Sequence, residues 1–227
     1  MFAWIFRPQC AACGVPAETL CAACSASLLE LGPACPRCAE PTGVHSVVCR
    51  RCAWAPLPLE RIVAPWRFGG QLAAAIRRLK FAGRTHIARD LAPLWSPLVA
   101  AAVQVDEPAV VVPVPLHWRR RFARGYDHTW HLAIHACAAA GLAPPLAALR
   151  RVRGGPPQST LSQAARRDNL RGAFTVRTPE AVAGKTVILV DDVVTTGSTL
   201  AAAARPLHAA GATRVVGVAV ARATSSP

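Results

Sequence analysis

The apolar positions of this chain change their spacing from segment to segment, and the spacing predicts where helices and strands lie. Residues 70–82 carry Leu72, Ile76 and Leu79 on one side and basic residues near the other, which is typical of an amphipathic helix. Short all-apolar runs are typical of strands that are buried on both faces. From these patterns we predict helices over residues 70–82, 86–103, 128–140 and 198–210, and strands over residues 109–112, 185–190 and 215–220.

The alternation of apolar strands with helices predicts an α/β fold, with a parallel sheet that helices cover on both faces. The 227 residues are enough for one main domain and a small additional one. A Pro-rich joint follows the N-terminal quarter, so we divide the chain into a domain of residues 1–55 and a domain of residues 56–227. Residues 146–176 are predicted to be loop-rich and basic.

Cysteines are concentrated in the N-terminal domain. Eight of the nine fall into four CxxC pairs, which are Cys10/Cys13, Cys21/Cys24, Cys35/Cys38 and Cys49/Cys52. A CxxC turn presents two thiolates on one side of a tight knuckle, and two knuckles complete a tetrahedron of sulfur around Zn²⁺. We therefore predict two structural zinc ions, whose binding supplies folding energy that this short segment lacks.

The spacing of the four pairs allows sequential or interleaved ribbons, and we prefer the sequential arrangement. It assigns the first two pairs to one ion and the last two to another. Redox chemistry is the alternative for a single CxxC, but four copies disfavour it, and an iron–sulfur cluster is a further alternative. A structural role is the first expectation for the zinc, and a nucleic-acid-binding ribbon is the second.

Charge adds a class of partner to this picture. The formal net charge is +14, and 24 of the 26 basic residues are Arg. A GC-rich genome would explain the preference for Arg over Lys, but the net charge itself indicates polyanionic partners. The N-terminal residues show no secretory signal, so we expect a cytoplasmic protein. The longest uncharged run, residues 129–149, is predicted to be a buried helix followed by a turn, not a membrane span.

The most informative stretch is VILVDDVVTTGST, residues 187–199. An apolar strand is followed by Asp191 and Asp192, at the end of the strand where open α/β sheets bind ligands. A hydroxyl-rich loop with one glycine, residues 195–199, then leads into a helix. Such a loop suits a phosphate, whereas the carboxylates suit ribose hydroxyls or a bound Mg²⁺. A phosphorylated sugar with a metal-bound polyphosphate matches both halves.

A simpler interpretation of the same stretch is a strand, a turn and a helix N-cap supplied by Ser or Thr. It explains the hydroxyls at the start of the helix but not two adjacent carboxylates followed by an extended hydroxyl-rich loop. A Walker nucleotide loop is excluded because the chain contains no GxxxxGK[ST] sequence.

VILVDDVVTTGST resembles the phosphoribosyl pyrophosphate (PRPP) signature of type I phosphoribosyltransferases. The wider arrangement resembles the ComF family of competence-associated proteins, over roughly residues 10–222. The supporting stretches are the CxxC pairs, FGGQLAAAIRRLKFAGR, VPVPLHWRRRFARGYDH and PPQSTLSQAARRDNLRGAF. The resemblance implies a type I phosphoribosyltransferase fold preceded by a double zinc ribbon.

The resemblance also implies roles for individual residues in binding PRPP with Mg²⁺. Asp191 and Asp192 would contact the ribose hydroxyls, and the loop that follows would hold the 5′-phosphate. The turn of residues 116–119 would bind pyrophosphate, and the arginines at residues 119–121 would neutralise it as it leaves. The catalytic candidates are Asp191, Asp192, Arg119 and Arg166. The ligand-binding candidates are Asp191, Asp192, Val194, Thr195, Thr196, Gly197, Ser198, Thr199, His117 and Arg120.

Two further segments follow from the resemblance. Residues 154–174 occupy the place of the loop that closes over PRPP, with Gln158, Arg166, Asn169 and Arg171 as its polar contacts. The family usually has Arg-Gly-Phe-Asn-Gln where this chain has Arg-Gly-Tyr-Asp-His, residues 124–128. We interpret Asp127 and His128 there as a helix N-cap and its neighbour.

Two functions remain open at this point. The resemblance implies a protein that handles single-stranded DNA in natural transformation, with other competence proteins, such as a helicase or channel, as further partners. The basic charge supports this function, and Trp54, Trp66, Trp118 and Trp130 are candidate stacking partners. The alternative is an active phosphoribosyltransferase that joins the ribose of PRPP to a nitrogen acceptor. A purely structural zinc adaptor is disfavoured by the intact ligand loop.

Overall fold

The computed structural model describes residues 9–17, 20–103, 107–153 and 172–224. Its helices are α1 (Ala22–Ala26), α2 (Arg50–Trp54), α3 (Gly70–Phe81), α4 (His86–Ala102), α5 (Trp118–Arg124), α6 (His128–Ala139), α7 (Pro179–Val182) and α8 (Ser198–Ala209). Its strands are β1 (Arg61–Val63), β2 (Trp66–Arg67), β3 (Ala109–Pro113), β4 (Leu149–Arg151), β5 (Phe174–Val176), β6 (Thr186–Val194) and β7 (Arg214–Arg222).

A parallel sheet forms the centre of the fold, with strand order β1-β7-β6-β3. Strand β2 also pairs in parallel with the end of β7, and β4 and β5 form a separate antiparallel pair. Successive residues of β6 point to opposite faces, so Ile188 and Val190 enter one core while Val187 and Leu189 enter the other. The structure confirms the α/β class that the apolar runs predict.

Helices cover both faces of this sheet. Buried residues of α3, α4 and α6 pack on one face, and α8 packs on the other together with β4 and β5. Gly217 of β7 allows α8 to approach closely, because a Cβ at this position would lie 2.9 Å from Leu200 Cδ1. The sheet is therefore buried on both sides, which explains why its strands read as continuous apolar runs.

The N-terminal segment folds into two small ribbons of similar geometry, and both pack against the main sheet and its helices. Residues 9–17 and 20–26 share a buried cluster with α3 and α4. The connection between the ribbons pairs with the main chain, since Leu31 N donates to Pro65 O at 2.9 Å and Arg67 N donates to Leu29 O at 2.8 Å. The division after residue 55 stays a prediction, because the ribbons and the sheet share buried contacts.

Three sequence predictions need correction. The Pro-rich joint contains strands β1 and β2, and the segment predicted to be loop-rich contains β4 and β5. These strands have two or three residues each, and they form because distant chain segments offer hydrogen-bond partners, which local patterns do not reveal. Strand β6 continues through Asp191 to Val194 because β7 pairs with it there, for example at Asp191 and Ala219.

Residues 129–149 form the helix α6 and the turn after it, as predicted. None of the helices in the described part of the chain combines the length and apolarity that a membrane span requires.

Candidate ligand-binding site

A cavity of about 520 Å³ lies at the carboxyl ends of β3 and β6. Neighbouring parallel strands end at the same edge of a sheet, so the loops that follow them meet there. The loop after β3 contributes residues 114–116, and β6 with its following loop contributes most of residues 191–200. Lys80, Phe81, Arg120, Arg124, His128, Thr129 and Arg151 complete much of the wall.

The loop between β6 and α8 has the geometry of an anion-binding turn. Gly197 is the N-cap of α8 with a φ of 77°, in the left-handed region that favours glycine. A Cβ at this position would lie 2.9 Å from Ile62 Cδ1 and 2.9 Å from Leu57 Cδ1, so glycine is also required by the space. The hydroxyls of Thr196 and Ser198 lie 2.7 Å apart. The start of α8 therefore lines the cavity together with the hydroxyl-bearing residues Thr195, Ser198 and Thr199, as in anion sites at helix N-termini.

The two carboxylates of the loop stand in different environments. Asp192 is 4% exposed, and Lys80 Nζ lies 2.8 Å from its Oδ1 while His128 Nε2 contacts its Oδ2. Burial disfavours its charged form, but Lys80 and the hydrogen bond from His128 outweigh this and hold the pKa of Asp192 below its ordinary value. For Asp191, burial and then the negative charge of Asp192 raise the pKa to about 7. Asp191 is partly exposed.

Sequence reasoning missed Lys80 and His128 as site residues. It placed Lys80 among the basic residues of a helix surface and treated His128 as the neighbour of an N-cap. The structure confirms Asp127 as the N-cap of α6, but it also shows His128 3% exposed and against Asp192. The available signal was chemical: a carboxylate at the end of a buried strand needs partners, although the sequence does not say which ones.

The segment before α6 is held in place by Asp127 and Tyr126. Asp127 Oδ1 accepts the N–H of Thr129 at 3.1 Å, and its Oδ2 accepts the N–H of Leu116 at 3.1 Å. Tyr126 donates its hydroxyl to Leu79 O at 2.6 Å. These bonds tie the end of α3, the loop after β3 and the start of α6 together, which fixes the cavity wall.

Positive charge collects at one end of the cavity. Arg151 is 9% exposed, and its pKa is lowered by burial and then by the positive charge of Arg120. Burial, followed by the charges of Arg151 and other arginines, also lowers the pKa of His117. No carboxylate among the described residues lies within salt-bridge distance of Arg151. This end of the cavity is therefore suited to a bound anion.

The structure brings most of the proposed ligand-binding residues together, but not all of them. The cavity is lined by Asp191, Asp192, Val194, Thr195, Gly197, Ser198, Thr199 and Arg120. Arg119, Thr196 and His117 are not part of its lining: the turn expected at residues 116–119 becomes helix α5, which His117 caps by accepting the N–H of Arg119. Arg119 is exposed, with its guanidinium 5.2 Å from the Trp118 ring centre. Gln158, Arg166, Asn169 and Arg171 lie outside the described residues.

Helix α5 presents an exposed surface of aromatic and basic residues at the edge of the cavity. None of its seven residues is buried. Trp118 is 58% exposed and Phe122 is 88% exposed. Phe81 is 71% exposed, and the Arg124 guanidinium lies over its ring at 4.7 Å. We name these four residues, together with Arg119 and Arg121, the α5 surface.

The eight paired cysteines form two metal-binding groups. The groups are Cys10, Cys13, Cys21, Cys24 and Cys35, Cys38, Cys49, Cys52, and within each all sulfurs lie within 4.8 Å of one another. Measured contacts include 3.7 Å between Cys13 Sγ and Cys21 Sγ and 3.6 Å between Cys38 Sγ and Cys49 Sγ. A tetrahedral Zn²⁺ with Zn–S bonds of about 2.3 Å places its sulfurs about 3.8 Å apart. The sequential pairing is confirmed, and the sulfur positions are consistent with two structural zinc ions.

Comparisons with known proteins agree with both parts of the chain. Residues 135–226 match the phosphoribosyl transferase domain, and residues 1–53 match the double zinc ribbon domain. The DNA utilization protein YhgH of Salmonella typhi is 35% identical over 199 residues, which are 86% of this chain and 87% of that protein. Competence protein ComFC of Bacillus subtilis is 30% identical over 202 residues (85% and 79%). Competence protein F of Haemophilus influenzae is 29% identical over 185 residues (80% and 80%).

Proposed function

This chain belongs to the family of ComF competence proteins and YhgH DNA utilization proteins, and we propose that its cavity binds PRPP together with Mg²⁺. The observation that carries this proposal is that different sides of the cavity carry different chemical groups. A hydroxyl-rich helix N-terminus and a carboxylate occupy one side, and Arg120 with Arg151 supplies positive charge at another. PRPP has the matching sequence of groups: a phosphate, two ribose hydroxyls and a pyrophosphate.

Each part of the ligand has a proposed partner. The backbone N–H groups and hydroxyls of residues 195–199 bind the 5′-phosphate. Asp191 offers carboxylate oxygens to ribose hydroxyls or to the cation, since Mg²⁺ prefers oxygen ligands. Arg120 and Arg151 bind the pyrophosphate, to which bound Mg²⁺ would add further neutralisation. Phe68 and Leu116 supply apolar wall around the sugar.

Binding of Mg²⁺–PRPP by isothermal titration calorimetry tests this proposal. Arg120→Ala is expected to weaken the affinity at least about tenfold, because it removes one charge-assisted contact to phosphate. Arg121→Ala is the matched control: Arg121 lies on the same helix, is exposed and does not line the cavity. Wild-type protein that does not bind Mg²⁺–PRPP, or equal losses in both variants, would contradict the proposal.

The same samples distinguish an enzyme from a ligand-binding protein. Pyrophosphate release from Mg²⁺–PRPP is measured with mixed purine, pyrimidine and amine acceptors. Release that depends on an acceptor would assign phosphoribosyl transfer, in which positioning and charge stabilise the departing pyrophosphate. PRPP binding without release would assign PRPP as a ligand that accompanies another activity.

A second function is favoured by the α5 surface: the binding of single-stranded DNA. Exposed aromatic rings stack on bases, and arginines beside them bind phosphates, which together characterise surfaces that bind single strands. Trp118 and Phe122 supply rings, while Arg119 and Arg121 supply charge. An exposed helix with this composition has no role in the core, so its residue types support contact with a partner.

Fluorescence anisotropy with a labelled oligothymidylate tests this second function. The double variant Trp118→Ala/Phe122→Ala is expected to lose at least about tenfold in affinity, since stacking contributes roughly 1–3 kcal/mol per base. Trp54→Ala is the matched control, because Trp54 is 82% exposed but lies on the second ribbon. The double variant Arg119→Ala/Arg121→Ala should reduce the slope of log affinity against log salt concentration by about 1.4, because each lost phosphate contact contributes about 0.7. Loss of affinity in Trp54→Ala alone would place the strand on the ribbon instead.

A further inference from the structure

We propose that the two adjacent carboxylates have separate roles. Asp191 contacts the bound ligand, whereas Asp192 is a positioning residue that Lys80 and His128 hold in place from two different helices. This inference rests on the proposed binding of PRPP, and it differs from the expectation that both carboxylates contact the ribose.

Three donors already occupy most of the hydrogen-bonding capacity of Asp192. Its Oδ1 accepts from Lys80 Nζ at 2.8 Å and from the N–H of Val193 at 2.5 Å, and its Oδ2 contacts His128 Nε2. Its side chain is 6% exposed. The remaining acceptor site, on Oδ2, belongs to a side chain that is almost fully buried, so a ribose hydroxyl has little access to it.

Asp191 is in the opposite situation. Both carboxylates line the cavity, but Asp191 is partly exposed and its Oδ1 accepts the N–H of Asp192 at 2.9 Å. Within the described part of the chain, no cation forms a salt bridge with it and its Oδ2 has no hydrogen-bond partner. A carboxylate oxygen that faces a cavity without a partner is available to a hydroxyl donor or a cation.

The surroundings of His128 define the direction of its hydrogen bond. Arg124 Nη1 lies 3.5 Å from His128 Nδ1, and a guanidinium group can only donate. Nδ1 is therefore the acceptor, which leaves the proton on Nε2 to be donated to Asp192. The imidazole thus bridges Arg124 on α5 to the strand that carries both carboxylates.

Lys80 and His128 together fix the position of the β6 end that lines the cavity. Lys80 lies in the last turn of α3 and His128 begins α6, so Asp192 joins both helices to β6. The neighbouring bond from Tyr126 to Leu79 O ties the same two regions. The location of Asp191 therefore depends on three elements that meet at Asp192.

A set of variants tests the division of roles, with Mg²⁺–PRPP affinity and the unfolding midpoint Tm as separate readouts. Asp191→Asn is expected to weaken affinity at least about tenfold while Tm changes by less than about 2 °C. Lys80→Met leaves Asp192 buried without its cation, so both Tm and affinity should fall. Adding Asp192→Asn to Lys80→Met removes the uncompensated charge and should restore most of both.

His128 offers a conservative rescue. His128→Gln keeps an N–H donor for Asp192 and should bind Mg²⁺–PRPP within about threefold of wild type, whereas His128→Leu should lose at least about tenfold. A role of His128 in packing alone would give the opposite order, because leucine fills the buried site without a polar group.

The outcomes separate the inference from the function on which it rests. If wild type binds Mg²⁺–PRPP, but Asp192→Asn loses affinity as Asp191→Asn does and the Lys80→Met/Asp192→Asn losses add, both residues contact the ligand and the inference is overturned. If wild type binds no Mg²⁺–PRPP, the proposed function fails and the ligand role of Asp191 fails with it. The Tm values of the two single variants and the double variant then still show whether Lys80 and Asp192 are energetically coupled.

Discussion

The two cysteine ribbons have nearly the same internal geometry but different surroundings. In each, the N–H of the first cysteine donates at 2.7 Å to the carbonyl five residues later. In each, the sulfur of the first cysteine accepts the N–H of the third cysteine at 3.3 Å. Short helices, α1 and α2, follow the third cysteine of the first and second ribbon respectively. The local sequence thus specifies the same unit twice.

The first ribbon extends the main core. Cys10, Ala11, Ala12, Leu20 and Cys24 are buried in one cluster with residues of α3 and α4. Arg78 of α3 donates to the backbone carbonyls of the segment that contains these alanines. This ribbon therefore covers an apolar helix surface that would otherwise face water.

The second ribbon contacts the ligand-binding edge of the sheet instead. Leu57 packs against its cysteines, and the methyl group of Leu57 lies directly under Gly197 of the ligand loop. Arg222, at the end of β7 and 0% exposed, donates to Cys38 O at 2.5 Å and pairs with Glu40. The backbone of Arg222 in turn pairs with Val194, where the ligand loop begins. The same metal-binding unit therefore supports the core in one case and the site in the other.

Removing one zinc ligand from each ribbon is expected to give the largest effects. Cys24→Ser and Cys52→Ser each remove a buried sulfur, so the zinc content measured by atomic absorption should fall from two ions to one. Cys24→Ser should also lower the Tm of the whole chain, because it opens the core beside α3. Cys52→Ser should weaken Mg²⁺–PRPP binding at a smaller cost in Tm.

Hydrogen exchange measured by mass spectrometry locates the damage in these two variants. Faster exchange should appear in α3 and α4 for Cys24→Ser, and in β1 and residues 190–199 for Cys52→Ser. If both variants gave the same pattern of exchange, the two ribbons would be equivalent supports and the contrast would be wrong.

Each ribbon is bonded to the main domain by an arginine, Arg78 for the first and Arg222 for the second, and removing them compares the two ribbons directly. Arg222→Met removes a fully buried guanidinium that donates to Cys38 O, so we expect a loss of about 2 kcal/mol in the free energy of unfolding. Arg78→Met removes the partly exposed counterpart at the first ribbon and should cost about 1 kcal/mol. Urea unfolding at constant m-value measures both. A greater loss in Arg78→Met would reverse the assignment.

These arginines also show where sequence reasoning ends. The CxxC spacing is a local pattern, so it predicted two metal groups; it left their pairing open, and the structure confirms the preferred sequential one. The strand before Asp191 and the loop after it were likewise predictable, because strand, glycine and hydroxyls are adjacent in the chain. Arg222 lies 184 residues from Cys38, and Lys80 lies 112 residues from Asp192, so their contacts depend on the complete fold. Long-range ion pairs leave no periodic pattern in the sequence. Nothing therefore distinguished Lys80 or Arg222 from the other basic residues, of which the chain has 26 in all.

Leu57 tests whether the second ribbon supports the ligand loop through packing. Leu57→Ala should create a space under Gly197 and cost about 2 kcal/mol of stability, with weaker binding of Mg²⁺–PRPP. Leu20→Ala in the first ribbon is the matched control: Leu20 is 8% exposed, and its loss should lower stability by a similar amount without an effect on affinity. Calorimetric affinity and urea unfolding measure the two quantities. Unchanged affinity in Leu57→Ala would mean that the loop holds its conformation without the ribbon.

The smallest expected effect lies in a left-handed backbone position that is glycine in the first ribbon and alanine in the second. Gly14 and Ala39 each follow a CxxC pair and have positive φ angles, of 82° and 58°. A left-handed conformation costs an alanine roughly 1 kcal/mol relative to glycine. Ala39→Gly should therefore stabilise the second ribbon by up to about 1 kcal/mol, and Gly14→Ala should destabilise the first by about as much. Competition with a zinc chelator should release zinc later in Ala39→Gly and earlier in Gly14→Ala, because each ribbon is stabilised by its own ion. Faster release in Ala39→Gly would show that burial of the Ala39 methyl group, at 5% exposure, outweighs the backbone strain.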